Sequence, residues 1–369
     1  MSTLVCENGF NFDKKKTMSA SDISETISIL KGKNFFDSKL IGYLESLNEM
    51  VGLEEIKKMV SDMVRYTLVV GHLSSPSVED DDMNHVMICG PPGCGKTSLA
   101  KIIGGVFSSL LPFGRKTFRE EQMLRYALNQ MYRDLPDPGE DGYIDAQIEI
   151  DEIDEVLHDY GVSRLEEEEP KVIFAGKQDL VGRYMGHSSK KTEEFLEKNR
   201  NSVIILDEAY VLCADERDTF GLESATVINT FMDKYPSEYV FIIIGYDNMK
   251  STIFKAQPGM QRRIKWAFEI TKYTPSELFQ IFQKKIGNIW RHEVKEEFFV
   301  RNYKHFKYYG GDVDRFIHYA KVSSTSRYFK EDKDDAVVVI NDDDISSSIK
   351  RLESSCCSSV DEFKCMMYG

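Results

Sequence analysis

Uninterrupted apolar runs and helical stripes alternate along the middle of this chain. Val86-Met87-Ile88-Cys89, Val203-Ile204-Ile205-Leu206 and Tyr239-Val240-Phe241-Ile242-Ile243-Ile244 carry no polar interruption. That is the pattern of parallel strands buried on both faces. Val172-Ile173-Phe174 and the stretch from Lys265 to Ile270 predict two more strands. Between them lie helical spacings, from Ser98 to Ile103 and a charged helix from about Lys190 to Lys198. Strands alternating with helices over 86–270 predict an α/β unit with a parallel sheet.

The flanks read differently. Residues 1–33 are polar and mixed, with a lysine run at 14–16, and predict a mobile start or a small helix. From about Phe35 the pattern turns helical, and Ile56, Met59, Val60, Met63, Val64 and Leu68 form an amphipathic stripe. Thr274-Pro275-Ser276-Glu277 is a helix start, with an N-cap, a proline at the first helical position and an acid in the first turn. Helices are predicted near 275–288, 293–306, 311–326 and 342–353, with a flexible tail from Ser354. The division is then an N-terminal segment at 1–45, an α/β unit at 46–270, a helical unit at 271–353 and a tail at 354–369.

Residues 119–170 interrupt the alternation. They hold 17 Asp/Glu against 4 Arg and no Lys, and end in Glu166-Glu167-Glu168-Glu169-Pro170. The stretch reads as a surface insertion, with a helix possible from Ile148 to Leu157. Each doubling of loop length adds only about 0.6 kcal/mol of closure entropy, so a fold tolerates such an insert. A solvated acidic spacer and a partner-docking arm are both compatible with it.

Composition adds bounds. The 369 residues are 41% hydrophobic and 29% charged, an ordinary globular balance. A net charge of −14 disfavours a large nucleic-acid footprint. No apolar run approaches the 18 or so residues that span a bilayer, so no membrane contact is expected. The seven cysteines (6, 89, 94, 213, 356, 357, 365) have no paired zinc spacing. A disulfide between Cys89 and Cys94 would distort the loop between them, so a reducing, cytoplasmic compartment is expected.

That loop carries the chemistry. Gly90-Pro91-Pro92-Gly93-Cys94-Gly95-Lys96-Thr97-Ser98 follows a predicted strand and opens a predicted helix. This is the context a phosphate-binding loop requires. The glycines let backbone N–H groups converge on phosphate oxygens at a helix N-terminus. Lys96 would add a point charge on the β- and γ-phosphates, and the Thr97 hydroxyl would hold Mg²⁺. Asp207 and Glu208 follow the buried run 203–206 at once. In a nucleotide site Asp207 would steady the metal, through its water or through Thr97, and Glu208 would act as general base on the attacking water. Arg262 and Arg263 precede the last predicted strand, at the far edge of the unit. An arginine there points towards a neighbouring subunit's nucleotide, and such a finger raises turnover about 10³–10⁵-fold in known cases.

Taken together, these motifs resemble the AAA+ ATPases, and within them the CbxX/CfqX group that includes red-type rubisco activases. The matches are Gly90 to Thr97, Asp179-Leu180-Val181-Gly182-x-Tyr184-x-Gly186-His187, Leu206-Asp207-Glu208-Ala209-Tyr210, Gly245-Tyr246 and Pro258-Gly259-x-x-x-Arg263-Ile264. They span roughly 46–330. The resemblance implies a P-loop NTPase core followed by a small helical lid domain. It also implies ATP and Mg²⁺ as cofactors, and a homo-oligomeric ring, usually a hexamer. Val51 and Gly52, in Met50-Val51-Gly52-Leu53, resemble the segment that lies against the adenine. Tyr184, Met185 and Gly186 would sit on a loop lining the ring's pore. A polar sensor after the 239–244 strand falls on Tyr246, Asp247 or Asn248. For the family's lid arginine Arg315 is carried, and the expected position also fits Asp314. The family usually has a basic residue where Gln261 stands, which leaves Arg263 as the finger.

The reading is therefore a Mg²⁺-dependent ATPase ring that remodels a protein partner through its pore. Two alternatives stay open: a nucleic-acid motor or loader, using Arg183, His187, Lys190 and Lys191, and a nucleotide-gated scaffold.

Overall fold

The structure is a computed structural model that describes residues 23–32, 38–73, 84–110, 131, 135–136, 143–159, 171–182, 184, 186–209, 219–236, 238–246, 249–287, 289–330 and 338–367. Five parallel strands form its centre: β1 (His85–Cys89), β2 (Val172–Ala175), β3 (Ser202–Leu206), β4 (Tyr239–Gly245) and β5 (Ile264–Glu269), in the spatial order β2-β3-β4-β1-β5.

The unbroken apolar runs have a simple cause. Successive side chains of a strand point to opposite faces, and here both faces are covered. Val86, Ile88, Val203, Ile205, Val240 and Ile242 enter one core with Leu99, Ile103 and Phe107 of the helix Lys96–Leu110. Met87, Cys89, Ile204, Leu206, Phe241 and Ile243 enter a second core with Leu196, Ile228 and Met232 from the helices His187–Lys198 and Thr219–Lys234. Every residue of β1, β3 and β4 is buried, whereas the edge strands β2 and β5 are mixed. That is why the central strands read as solid apolar runs, whereas the half-exposed edge strand β5 carries Lys265 and Glu269 among its apolar residues.

The first core continues beyond the sheet. Ile23, Ile27 and Leu30 of the helix Ile23–Gly32 are buried in it, and residues 1–22 lie outside the described residues. Leu40, Leu44 and Leu47 of Ser38–Glu49 pack into it too, and this helix crosses the boundary drawn at residue 45.

On the C-terminal side the helix Pro275–Ile286 opens with a capping box. Glu277 N donates to Thr274 Oγ1 at 3.3 Å, and Thr274 N donates back to Glu277 Oε2 at 2.7 Å. Such a cap typically stabilises by about 1 kcal/mol. The helix expected near 293–306 is broken into Glu296–Asn302 and a 3₁₀ turn, Tyr303–His305. Tyr309–Lys330 follows, and a small parallel ladder of Trp290–His292 with Val338–Ile340 was not foreseen. Three-residue strands carry too little periodicity to be read. The last helix, Asp342–Met367, runs through residues 354–367, where a tail is expected from composition. Its Ser-Cys-rich sequence hides helical spacing in Leu352, Cys356, Val360, Phe363 and Met367. Within the acidic insertion, Tyr143–Asp159 is helical and encloses the predicted segment.

Candidate functional site

The strand order decides where the chemistry meets. β4 lies between β1 and β3, with Cys89 level with Gly245 and Leu206 level with Ile243. The segments leaving the carboxyl ends of these three strands therefore face one crevice, the usual ligand position in open parallel sheets. A cavity of about 260 Å³ lies there, lined by residues that include Gly95, Lys96, Thr97, Asp207, Glu208 and Tyr246. Pro92, Gly93 and Ser98 line it as well.

Gly93 and Gly95 have φ of +75° and +86°, the left-handed region that glycine enters without steric penalty. They turn the chain sharply before the first helical bond, Leu99 N to Gly95 O at 2.9 Å. Lys96, at the first turn of that helix, donates to the carbonyls of Gly90 at 3.0 Å and Pro91 at 2.7 Å. Its ammonium also lies 4.6 Å from the Tyr246 ring centroid. Thr97 Oγ1 donates to Asp207 Oδ2 at 3.2 Å, across 110 positions of sequence. Two hard oxygen donors side by side are the ligand chemistry Mg²⁺ takes when phosphates and waters complete its shell. Among the described residues no cluster of three His, Cys, Asp or Glu forms a metal cage, and a nucleotide-bound Mg²⁺ needs none.

Glu208 is exposed and adopts φ +51°, uncommon for a residue with a side chain. Its N–H donates to Asp207 Oδ1 at 2.9 Å, which ties the bend to the neighbouring carboxylate. Such backbone costs about 1–3 kcal/mol and clusters at functional sites. Within the loop, Gly90 and Cys94 are buried. The Cys94 carbonyl accepts from the Tyr273 hydroxyl at 3.2 Å, and burial pushes that phenol up to about 12.

The helical unit reaches the loop at a second point. A Cβ on Gly93 would fall on the Tyr308 carbonyl, and one on Gly310 would stand 3.1 Å from the Gly93 carbonyl. Tyr309 has φ +43° to make this turn. The carboxylate of Asp312, fully buried, accepts from Tyr308 N at 2.7 Å and holds the turn. Tyr273, Tyr308 and Tyr309 were missed in the sequence; the only signal was the Tyr-Tyr-Gly-Gly run at 308–311 opening a helix.

The remaining expected residues fall as follows. Gly52 (φ +66°) packs against the Glu277 carboxylate, and the Met50 methyl would lie 3.7 Å from a Cβ on Gly95. Val51 and Gly52 thus sit between the phosphate loop and the capping box, outside the cavity lining. Arg315 donates to Asp312 at 3.4 Å and does not line the cavity, and Asp314 pairs with Lys285 at 2.7 Å. Tyr184 is 68% exposed, its ring set edge-on to His187 at 5.5 Å. Gly186, at φ +78°, starts the helix that follows. Met185 and Asp247 lie outside the described residues, as do Arg183 and Asn248. Arg263 lies away from its own chain's cavity and is held by Asp233, Asn229 and Gly259. Among the described residues no helix is long and apolar enough to cross a membrane.

Comparison with known proteins gives a consistent picture. The cfxQ-like protein R730 of Acanthamoeba polyphaga mimivirus is 25% identical over 298 residues, 78% of this chain and 59% of that protein. Protein CfxQ of Xanthobacter flavus is 24% identical over 254 residues, 68% of this chain and 63% of that one. Protein CbbX of Cereibacter sphaeroides is 34% identical over 112 residues, covering 30% and 36%. The chain thus spans less than two thirds of the length of each of these relatives. Residues 86–269, from β1 to the end of β5, match the ATPase family associated with various cellular activities (AAA). This chain belongs to that AAA ATPase family, within its CbxX/CfqX group.

Proposed function

We propose that this protein is a Mg²⁺-dependent ATPase, assembled as a ring, that couples ATP hydrolysis to the remodelling of a protein partner. One observation carries the catalytic part: the Thr97–Asp207 hydrogen bond brings phosphate loop and acidic pair into one cavity with Lys96 and Glu208. Bound Mg²⁺–ATP supplies the transferable phosphoryl group. Lys96 neutralises charge on the phosphates, and the loop's backbone N–H groups orient them. Thr97 and Asp207 hold the metal. Glu208, which lines the same cavity, takes the proton from the attacking water. Arg263 serves the site of an adjacent subunit, probing its γ-phosphate. Tyr184, exposed between Gly182 and Gly186, grips the partner chain by apolar contact.

Nucleotide binding and turnover test the core of this reading. Lys96→Ala should weaken ATP binding, and Glu208→Gln should bind ATP normally while turnover nearly vanishes. Equal turnover in wild type and Glu208→Gln removes the general-base assignment. Turnover with an unfolded polypeptide, DNA or RNA then tests the partner class. Stimulation by polypeptide alone is expected, and stimulation by nucleic acid alone would replace remodelling with the motor reading.

A further inference from the structure

All three nitrogens of the Arg263 guanidinium are engaged by its own chain, through three hydrogen bonds and an ion pair. Nη1 donates to the Gly259 carbonyl at 2.8 Å and to Asn229 Oδ1 at 3.1 Å. Nε and Nη2 both reach Asp233 Oδ1, at 3.3 and 3.0 Å. The side chain is only 19% exposed, while the Arg262 side chain beside it is exposed and has no hydrogen-bond or ion-pair partner among the described residues. A long flexible side chain at the rim of a domain is not ordinarily held this way.

The holder is built into two elements. Asn229 and Asp233 stand four apart on the helix Thr219–Lys234, hence on one face. Thr226, three residues earlier on that face, accepts from Gln257 Nε2 at 2.7 Å. A polar stripe of Thr226, Asn229 and Asp233 therefore engages the segment 257–263 at both ends. Gly259 completes the cradle. Its φ of −62° and ψ of −30° suit any residue, so no backbone need calls for glycine. A Cβ there would stand 2.7 Å from Arg263 Nη1 and 3.3 Å from Asn229 Nδ2. The glycine makes room for the guanidinium.

We propose that Asp233 and Asn229, with the space left at Gly259, are positioning residues for catalysis in the neighbouring subunit. They fix the Arg263 guanidinium in one orientation before assembly, so that it enters the adjacent site already aimed. This rests on the reading of Arg263 as a finger acting in trans. A misplacement of about 1 Å can lower a rate by roughly 10²-fold, so a preset guanidinium matters more than a merely nearby charge.

The test uses full-length variants co-expressed in pairs, with assembly checked by size and ATP affinity measured for each. Asp233→Ala and Gly259→Ala alone should lose about 10- to 100-fold in turnover with ATP affinity unchanged. Arg263→Ala mixed with Lys96→Ala should regain activity at mixed interfaces; failure there overturns the finger reading, and the present inference with it. Given that rescue, Asp233→Ala should be rescued by Lys96→Ala, which supplies an intact finger, and not by Arg263→Ala, which lacks one. A residue needed for its own subunit's site would show the opposite pattern. Rescue of Asp233→Ala by Arg263→Ala, or unchanged or raised turnover in Asp233→Ala, overturns the proposal. Gly259→Ala intrudes on the guanidinium and on Asn229 while leaving Asp233 in place, and must give the same pairing pattern, which guards against misfolding of the Asp233 variant.

Discussion

The Tyr308 carbonyl occupies the place a side chain on Gly93 would take. This close approach joins the helical unit to the phosphate loop through backbone alone, with the Tyr273 hydroxyl on the Cys94 carbonyl as a second tie. Gly93→Ala meets two penalties: a left-handed φ of +75° and a collision with backbone that cannot rotate away. It should destabilise the protein by about 1–3 kcal/mol and weaken ATP binding. Urea unfolding and nucleotide titration check both. An unperturbed variant would mean that the contact yields without cost.

The Thr97–Asp207 pair predicts a metal phenotype. Thr97→Ala removes one hard ligand and should raise the Mg²⁺ concentration for half-maximal turnover about tenfold or more, with turnover partly recovered at saturating Mg²⁺. Asp207→Asn weakens the same site by removing charge and should move in the same direction. A turnover that falls without any change in Mg²⁺ dependence would remove the pair from the metal site.

His85 predicts how stability depends on pH. It is fully buried at the start of β1, and burial, reinforced by Arg263 and Lys265, lowers its pKa to about 4. Phe241 N donates to its Nδ1 at 3.3 Å, so that nitrogen carries no proton, and Nε2 lies 3.5 Å from the Met232 carbonyl. The unfolded chain takes up the proton near 6.5 and the folded chain only near 4. Over that window the unfolded state binds more protons, so stability falls as pH drops below about 6.5. The loss reaches about 3 kcal/mol near pH 4. Urea unfolding of wild type and His85→Gln at several pH values isolates this slope, which the variant should lack.

Tyr184 predicts an uncoupling. Its exposed ring is available to a partner chain. A loss of only 1.4 kcal/mol of grip is a tenfold change in engagement. Tyr184→Ala should keep basal turnover within a few-fold while losing stimulation by an unfolded polypeptide, and Tyr184→Phe should retain both. An alanine variant stimulated as well as wild type would end the threading reading.

By itself the sequence determined the parallel sheet and the phosphate chemistry, because both are written locally. Apolar runs at 86–89, 203–206 and 239–244 record burial on two faces, and the motif residues of Gly90–Thr97 are contiguous in the chain. Only the tertiary structure decided which distant parts meet there. The order β1-β4-β3 brings Thr97 to Asp207, and the turn at 308–310 comes to rest on Gly93. It also decided that Arg263 is held by Asn229 and Asp233, some thirty positions away. Such pairings depend on strand order and helix packing between residues distant in the chain. Local periodicity records which face of an element is buried, and carries nothing about what covers it.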